Sequence, residues 1–266
     1  MIRLEGIVKT FHPGSPDAHT VFQGLNLEVG EGEFVTVIGS NGAGKSTLLN
    51  LISGKIFADA GRVFINGRDM TKLPEYRRAQ YVGRIFQDPL AGTAATMTVE
   101  DNLMIAAKKG FRGLRISLNK KQRETFRNHL AHLDMGLEDR MKDNVGLLSG
   151  GQRQALTLLM MVLSRPPLIL LDEHTAALDP RNAERVMDLT RIFVGDYGFT
   201  TLMVTHNMAH AIRYGSRLLM MDRGRIVLDV GGEEKAGLTV EGLVKRFSEL
   251  GATASDALLL TRGGEV

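Results

Sequence analysis

The chain contains no cysteine, which excludes disulfides, thiol catalysis and cysteine-ligated zinc. A strong charge of either sign is also missing. The formal net charge is +3, too small to argue for nucleic acid or for a polybasic membrane anchor. Long hydrophobic runs are absent too. Arg3, Glu5 and Lys9 interrupt the first ten residues, so no apolar signal-peptide core forms there. The apolar stretch at 154–164 (QALTLLMMVLS) falls far short of the roughly 20 residues a membrane span needs, and it reads as a buried helix segment. Any membrane role therefore comes through a partner. No internal repeat or low-complexity tract breaks the chain. What remains is ordinary for a globular protein: 266 residues, 43% hydrophobic and 24% charged, enough to bury a core.

The first third reads as strands and tight turns. Leu25, Leu27 and Val29 alternate with polar positions before a turn at Gly30-Glu31-Gly32, and 34–38 (FVTVI) is a short β-branched run of the kind buried on both faces. Residues 62–65, followed by Asn66-Gly67, carry a strong hairpin signal. The stretch 12–20, with two prolines and a glycine, predicts an exposed loop. From about 97 to 163 the pattern is helical. One helix opens at Thr98-Val99-Glu100-Asp101 with capping-box spacing, and another covers 120–133. Residues 108–115, rich in glycine and base, predict a loop. Beyond Pro166-Pro167 a strand at 168–171, a helix at 181–193 and a strand at 200–205 restore the α/β alternation. Strands at 218–221 and 226–230, joined at Arg223-Gly224, close the core. A weak helical pattern at 240–250 precedes a frayed end. Short apolar strands alternating with helices imply a parallel sheet. The fold class expected is α/β: a parallel-sheet core with an N-terminal antiparallel β subdomain and an inserted α-helical subdomain. A single domain is expected over 1–266, its core in 1–88 and 166–230, its helical part in 89–165 and a tail in 231–266.

Three motifs carry the chemistry. Gly39-Ser40-Asn41-Gly42-Ala43-Gly44-Lys45-Ser46, with Thr47 next, is a Walker A phosphate loop placed directly after a buried strand and opening a helix. Its glycines let backbone N–H groups turn toward phosphate oxygens, and the helix aims its positive end at the same anion. Lys45 is positioned to reach the β- and γ-phosphates and Ser46 to hold Mg²⁺. The strand 168–171 ends in Asp172-Glu173. Adjacent carboxylates at the end of a buried strand are expensive without a use. Asp172 fits the Mg²⁺-holding Walker B role, and Glu173 the general base that orients water. Ser149, with Gln152 at the reciprocal capping-box position, opens a helix whose N-terminus Gly150 and Gly151 leave bare for an anion.

Leu148-Ser149-Gly150-Gly151-Gln152 resembles the signature of the ABC ATPase family, lying between Walker A and Walker B as that family requires. The resemblance covers nearly the whole chain, and with the phosphate loop it implies that the α/β core is a phosphate-loop NTPase core and that 1–266 form a single ABC ATPase domain. It implies a dimer with two composite ATP sites, each signature closing over ATP held by the other copy. It further implies that Gln87 is the Q-loop glutamine sensing Mg²⁺, that Ala177-Leu178-Asp179 is the D-loop at the dimer interface, that His206 contacts the γ-phosphate and that Phe11 stacks on adenine. The chain departs from the family in having His174 where proline usually follows the catalytic glutamate, a position from which it could tune rate or pH response. Residues 173–179 (EHTAALD) are similar to ATPases of bacterial importers that use a substrate-binding lipoprotein, for which tryptophan or tyrosine are proposed cargoes.

The resemblance implies an ATP- and Mg²⁺-dependent ATPase, peripheral on the cytoplasmic face of the cell membrane. It energises an integral-membrane permease, which the region 88–97 is expected to dock, together with an extracytoplasmic substrate-binding protein. Nucleic acid is not expected as a partner. A soluble ABC ATPase acting on nucleic acid or ribosomes usually carries a coiled-coil insertion or two tandem cassettes; this chain has one Walker A, one signature and no heptad run. A non-enzymatic nucleotide-binding regulator is expected to lack Glu173 or Lys45, and both are present.

Overall fold

The computed structural model describes residues 1–107 and 119–249. The loop expected at 108–115 and the frayed end expected beyond 249 lie outside the described residues. Two compact units are formed: the first from 1–84, 167–173 and the chain from 198 on, the second from 85–166 and 174–197.

In the first unit, β1 (Ile2–Phe11) pairs antiparallel with β2 (His19–Val29) and with β4 (Ala60–Ile65). The strand β5 (Arg68–Asp69) completes the order β2-β1-β4-β5. Asn66 and Gly67 sit at φ 51° and 71°, the left-handed pair that a two-residue hairpin requires. A second sheet has the order β10-β9-β3-β8-β7-β6, built from β3 (Phe34–Gly39), β6 (Val82–Ile85), β7 (Leu168–Asp172), β8 (Thr200–Val204), β9 (Arg217–Asp222) and β10 (Arg225–Gly231). Strands β9, β3, β8 and β7 are parallel neighbours, while β10 returns antiparallel to β9.

Every residue of β3 and β8 is buried, because both faces of this sheet are covered. On one face Val35, Val37, Leu219 and Met221 join α1 (Lys45–Ser53) and the antiparallel sheet in one apolar cluster with Ile2, Phe22, Leu48 and Val63. On the other, Ile38, Leu218 and Met220 pack against Met208 and Ala211 of α7 (Met208–Arg213) and Leu243 and Phe247 of α9 (Val240–Glu249). The strict alternation in β9 is the period-2 signature of a strand with two cores.

Two buried cations finish helix ends in this unit. Arg78, on the short α2 (Glu75–Arg78), is 1% exposed and donates to Leu51 O (2.7 Å) and Ile52 O (2.9 Å) of α1 and to Leu73 O (2.7 Å). Burial pushes its pKa down to about 10, which leaves it charged at neutral pH. Lys235, on α8 (Gly232–Ala236), donates to Tyr214 O and, at 2.7 Å, to Gly215 O beyond the end of α7. Its pKa falls to about 8 through desolvation.

The second unit is helical: α3 (Val99–Ala107), α4 (Lys120–Ala131), α5 (Gly150–Ser164) and α6 (Pro180–Tyr197). Side chains set the starts of these helices. Thr98 Oγ1 accepts from Asp101 N (3.2 Å) and Asp101 Oδ2 from Thr98 N (3.3 Å), and α4 opens on an Asn119–Gln122 capping box. Among the described residues no helix is long and apolar enough to cross a membrane.

Candidate active site

The phosphate loop leaves β3 at Gly39 and enters α1 at Lys45. Gly44, the residue before the helix, has φ 102°, and a Cβ there would lie 2.8 Å from Phe22 Cε1. Both conformation and space therefore require glycine. Lys45 is 6% exposed and folds back on its own loop, donating to Gly39 O (2.7 Å) and Ser40 O (2.9 Å). A buried ammonium must find acceptors, and in this state the loop carbonyls are among them. Asn41, Gly42 and Ser46 are exposed, while Ala43 and Gly44 are buried beneath the loop and Thr47 is half-buried.

Asp172 ends β7 and its carboxylate is 17% exposed. Its Oδ2 receives the Arg84 guanidinium of β6 at 2.5 Å. The other arm of Arg84 donates to Asn50 Oδ1 on α1 at 2.7 Å. The first unit thus offers a hydroxyl from Ser46 and a carboxylate from Asp172, a set of hard oxygens of the kind Mg²⁺ takes. The donor chemistry of Ser46 and Asp172 fits the ion.

Glu173 follows directly and adopts φ 49°, a left-handed conformation that costs a non-glycine residue on the order of 1 kcal/mol or more. Its N–H donates to Val204 O (3.0 Å), and its Oε1 lies 2.6 Å from His206 Nε2. Parallel pairing sets Asp172 opposite Val204, so residues just beyond the two strand ends share one edge. Phe11 ends β1, half-buried, with the Lys9 ammonium 5.6 Å from its ring centre.

The remaining residues singled out in the sequence belong to the second unit. Gln87 is exposed, two residues beyond β6. Ser149 Oγ accepts from Gln152 N (3.3 Å) and Gln152 Oε1 from Ser149 N (3.1 Å), realising the capping box. Gln152 is further fixed by Arg140 (3.1 Å) and by Met135 O (3.1 Å). Gly150 and Gly151 face α6 and the turn before it: a Cβ on Gly151 would meet Asn182 Cγ at 2.7 Å and one on Gly150 would meet Leu178 Cδ2 at 3.2 Å. Asp179 caps α6, accepting from Asn182 Nδ2 (2.6 Å) and Asn182 N (3.1 Å); these bonds hold its carboxyl below the usual range. His174 is 2% exposed, with its Nε2 3.1 Å from Thr190 Oγ1 of α6. Since that hydroxyl donates to Val186 O, the imidazole Nε2–H is the donor.

Arg84, Asn50 and Arg78 were not among the sequence candidates. A hint exists for Arg84: a cation within the apolar strand Val82–Ile85 needs a buried counter-charge. Nothing local in the sequence names Asp172 as that partner.

Comparison with known proteins identifies the family. The family model described as ABC transporter matches residues 22–176. The chain is 45% identical over 251 residues to a tyrosine transport ATP-binding protein of Clostridioides difficile (strain R20291), covering 93% of this chain and 98% of that protein. It is 32% identical to a methionine import ATP-binding protein of Halalkalibacterium halodurans, covering 100% of this chain and 78% of that one. Among solved structures, the dimeric post-hydrolysis state of the ATP-binding cassette MJ0796 bound to ADP and Pi superposes with TM-score 0.73 at 27% identity, covering 87% of this chain and 98% of that one. The ADP conformation of the cassette MJ1267 gives TM-score 0.73 at 27% identity over 100% and 99% of the two chains. These matches agree with the α/β fold, and the chain belongs to the ABC transporter family as one of its ATP-hydrolysing cassettes.

Proposed function

We propose that this chain is the ATPase subunit of a bacterial importer of small solutes of the amino-acid class, working as a dimer beneath a separate membrane permease. The observation that carries the reading is the match, over most of the chain, to transport ATP-binding proteins and to a dimeric ATP-binding cassette. A nucleotide bound on the phosphate loop of one copy takes its remaining N–H donors from the α5 terminus of another.

Residues 39–47 wrap the phosphates through backbone N–H groups, and Lys45 leaves the carbonyls of Gly39 and Ser40 for the β- and γ-phosphates. Ser46 and Asp172 hold Mg²⁺, with Gln87 as its sensor; the ion, when bound, neutralises charge on the phosphate oxygens. Glu173 takes the proton from the attacking water, and His206 holds that carboxylate in place and meets the γ-phosphate. Contacts from Ser149, Gly151 and His206 exist only while the γ-phosphate does, so hydrolysis releases the closed dimer. Phe11, half-buried at the end of β1, stacks on the adenine.

The permease docks on the segment 88–97, which exposes Leu90 and Met97. Asn102 holds this segment to α3, accepting from Ala94 N (2.8 Å) and donating to Ala94 O (3.1 Å). The chain is then peripheral, on the cytoplasmic face of the membrane, and its cargo reaches the permease from an extracytoplasmic binding protein. The tyrosine and methionine transport names of the relatives support an amino-acid cargo.

The test is to tag the protein in its native host, solubilise the membranes gently and identify what co-purifies. A multi-span permease with a lipid-anchored binding protein is expected. Recovery only from the soluble fraction, with ribosomal or DNA-repair proteins, overturns the transport assignment and leaves the ATPase intact.

A further inference from the structure

We propose that Arg84 is a positioning residue that neutralises Asp172 while no cation is bound, so that a divalent cation enters this site only together with nucleotide. The inference rests on the assignment of Asp172 as a Mg²⁺ holder.

Arg84 is a cation in the strand beside β7, with only 9% of its side chain exposed. One arm meets Asp172 Oδ2 at 2.5 Å and the other Asn50 Oδ1 at 2.7 Å. Asn50 lies four residues beyond Ser46 on α1, hence on the same helical face one turn on. The guanidinium therefore ties the carboxylate to the helix that carries Lys45 and Ser46. Its planar fork suits this double task, which a lysine ammonium meets only in charge.

The electrostatic consequence follows from the geometry. A partly buried carboxylate beside a cation presents little net charge to a second cation, and Mg²⁺ or Mn²⁺ alone must overcome the guanidinium to bind. Nucleotide phosphates bring further oxygens and negative charge to the same place, and these tip the balance toward the metal. Arg84 thus makes the site read the metal–nucleotide complex rather than free metal, and keeps Asp172 oriented between turnovers.

The experiment is Mn²⁺ titration of the full chain followed by electron paramagnetic resonance, without nucleotide and with ATP. Without nucleotide, the wild type is expected to bind Mn²⁺ weakly and Arg84→Gln about tenfold more tightly. Adding Asp172→Asn to Arg84→Gln removes that gain, and Arg84→Lys, which keeps the charge, behaves as wild type. Unchanged nucleotide-free affinity in Arg84→Gln overturns the inference. Should that variant fail to fold, the wild-type titration decides: Mn²⁺ bound as tightly without ATP as with it also overturns it. Asp172→Asn separates the two layers. If it leaves Mn²⁺ binding in the presence of ATP unchanged, the Mg²⁺ assignment itself fails. If it weakens that binding while Arg84→Gln changes nothing, only the role of Arg84 fails.

Discussion

His206 Nε2 lies 2.6 Å from Glu173 Oε1, and strand register is the cause. Glu173 is one residue past the end of β7 and His206 two past the end of β8, with Asp172 paired to Val204 in the last rung. Two groups from distant parts of the sequence are thereby delivered to one edge of a rigid sheet. The left-handed backbone at Glu173, anchored by its N–H on Val204 O, accompanies that placement.

If Glu173 is the base, Glu173→Gln keeps ATP binding and lowers turnover by about 10²–10⁴-fold. His206→Ala also lowers turnover, because the carboxylate loses its holder. Steady-state phosphate release and equilibrium ATP binding, measured side by side, check both. Appreciable hydrolysis by Glu173→Gln removes that residue from its role.

Gly44→Ala is expected to weaken ATP binding well beyond a surface change. The added Cβ meets Phe22 in the core and φ 102° strains any L-residue. Nucleotide titration against Gly42→Ala is the comparison to make: that glycine also has positive φ, but a Cβ there meets nothing within 4 Å, so its loss of affinity should be smaller.

Arg78→Met removes this donor from Ile52 O near the end of α1, while Leu51 O keeps the bond from Gly54 N–H. A buried unsatisfied acceptor costs about 1–3 kcal/mol, so chemical denaturation should show a loss of ~1–3 kcal/mol. A loss near zero contradicts the capping role.

Lys235 gives a pH signature. Its folded pKa is about 8 against 10.5 for the free side chain, so between those values the unfolded chain binds the proton and the folded one does not. Stability from this group rises with pH through that window. The penalty of burying the charge is fully present below pH 8. Unfolding free energies of wild type and Lys235→Met, compared at pH 7.5 and 10, should shift in favour of the wild type by on the order of 2–3 kcal/mol. A flat difference contradicts the buried charge.

Much of this was legible in the sequence where the signal is local and periodic. The runs 34–38 and 168–171 became strands buried on both faces, and Asn66-Gly67 became the hairpin turn. The capping residues Thr98 and Ser149 start α3 and α5 where their spacing placed them. The helix expected at 181–193 extends to Pro180–Tyr197, since Asp179 caps it one residue earlier and nothing breaks it until Gly198. What the sequence hid are pairings between distant positions. Arg84 with Asp172, Arg78 with the end of α1, and His174 with Thr190 join residues 88, 26–27 and 16 positions apart. A single buried polar side chain announces that it needs a partner but does not say which one. His174 shows the limit well: its place beside Glu173 is legible in the sequence, whereas the bond of its buried imidazole to Thr190 of α6 is not.

Light scattering after size-exclusion chromatography tests most directly whether two copies of the chain share their ATP sites, using Glu173→Gln to prevent turnover. With ATP the protein should run at twice the mass seen without it, and adding Ser149→Arg should return it to a monomer that still binds nucleotide. A monomer that stays monomeric at saturating ATP, or a dimer indifferent to Ser149→Arg, contradicts the composite site.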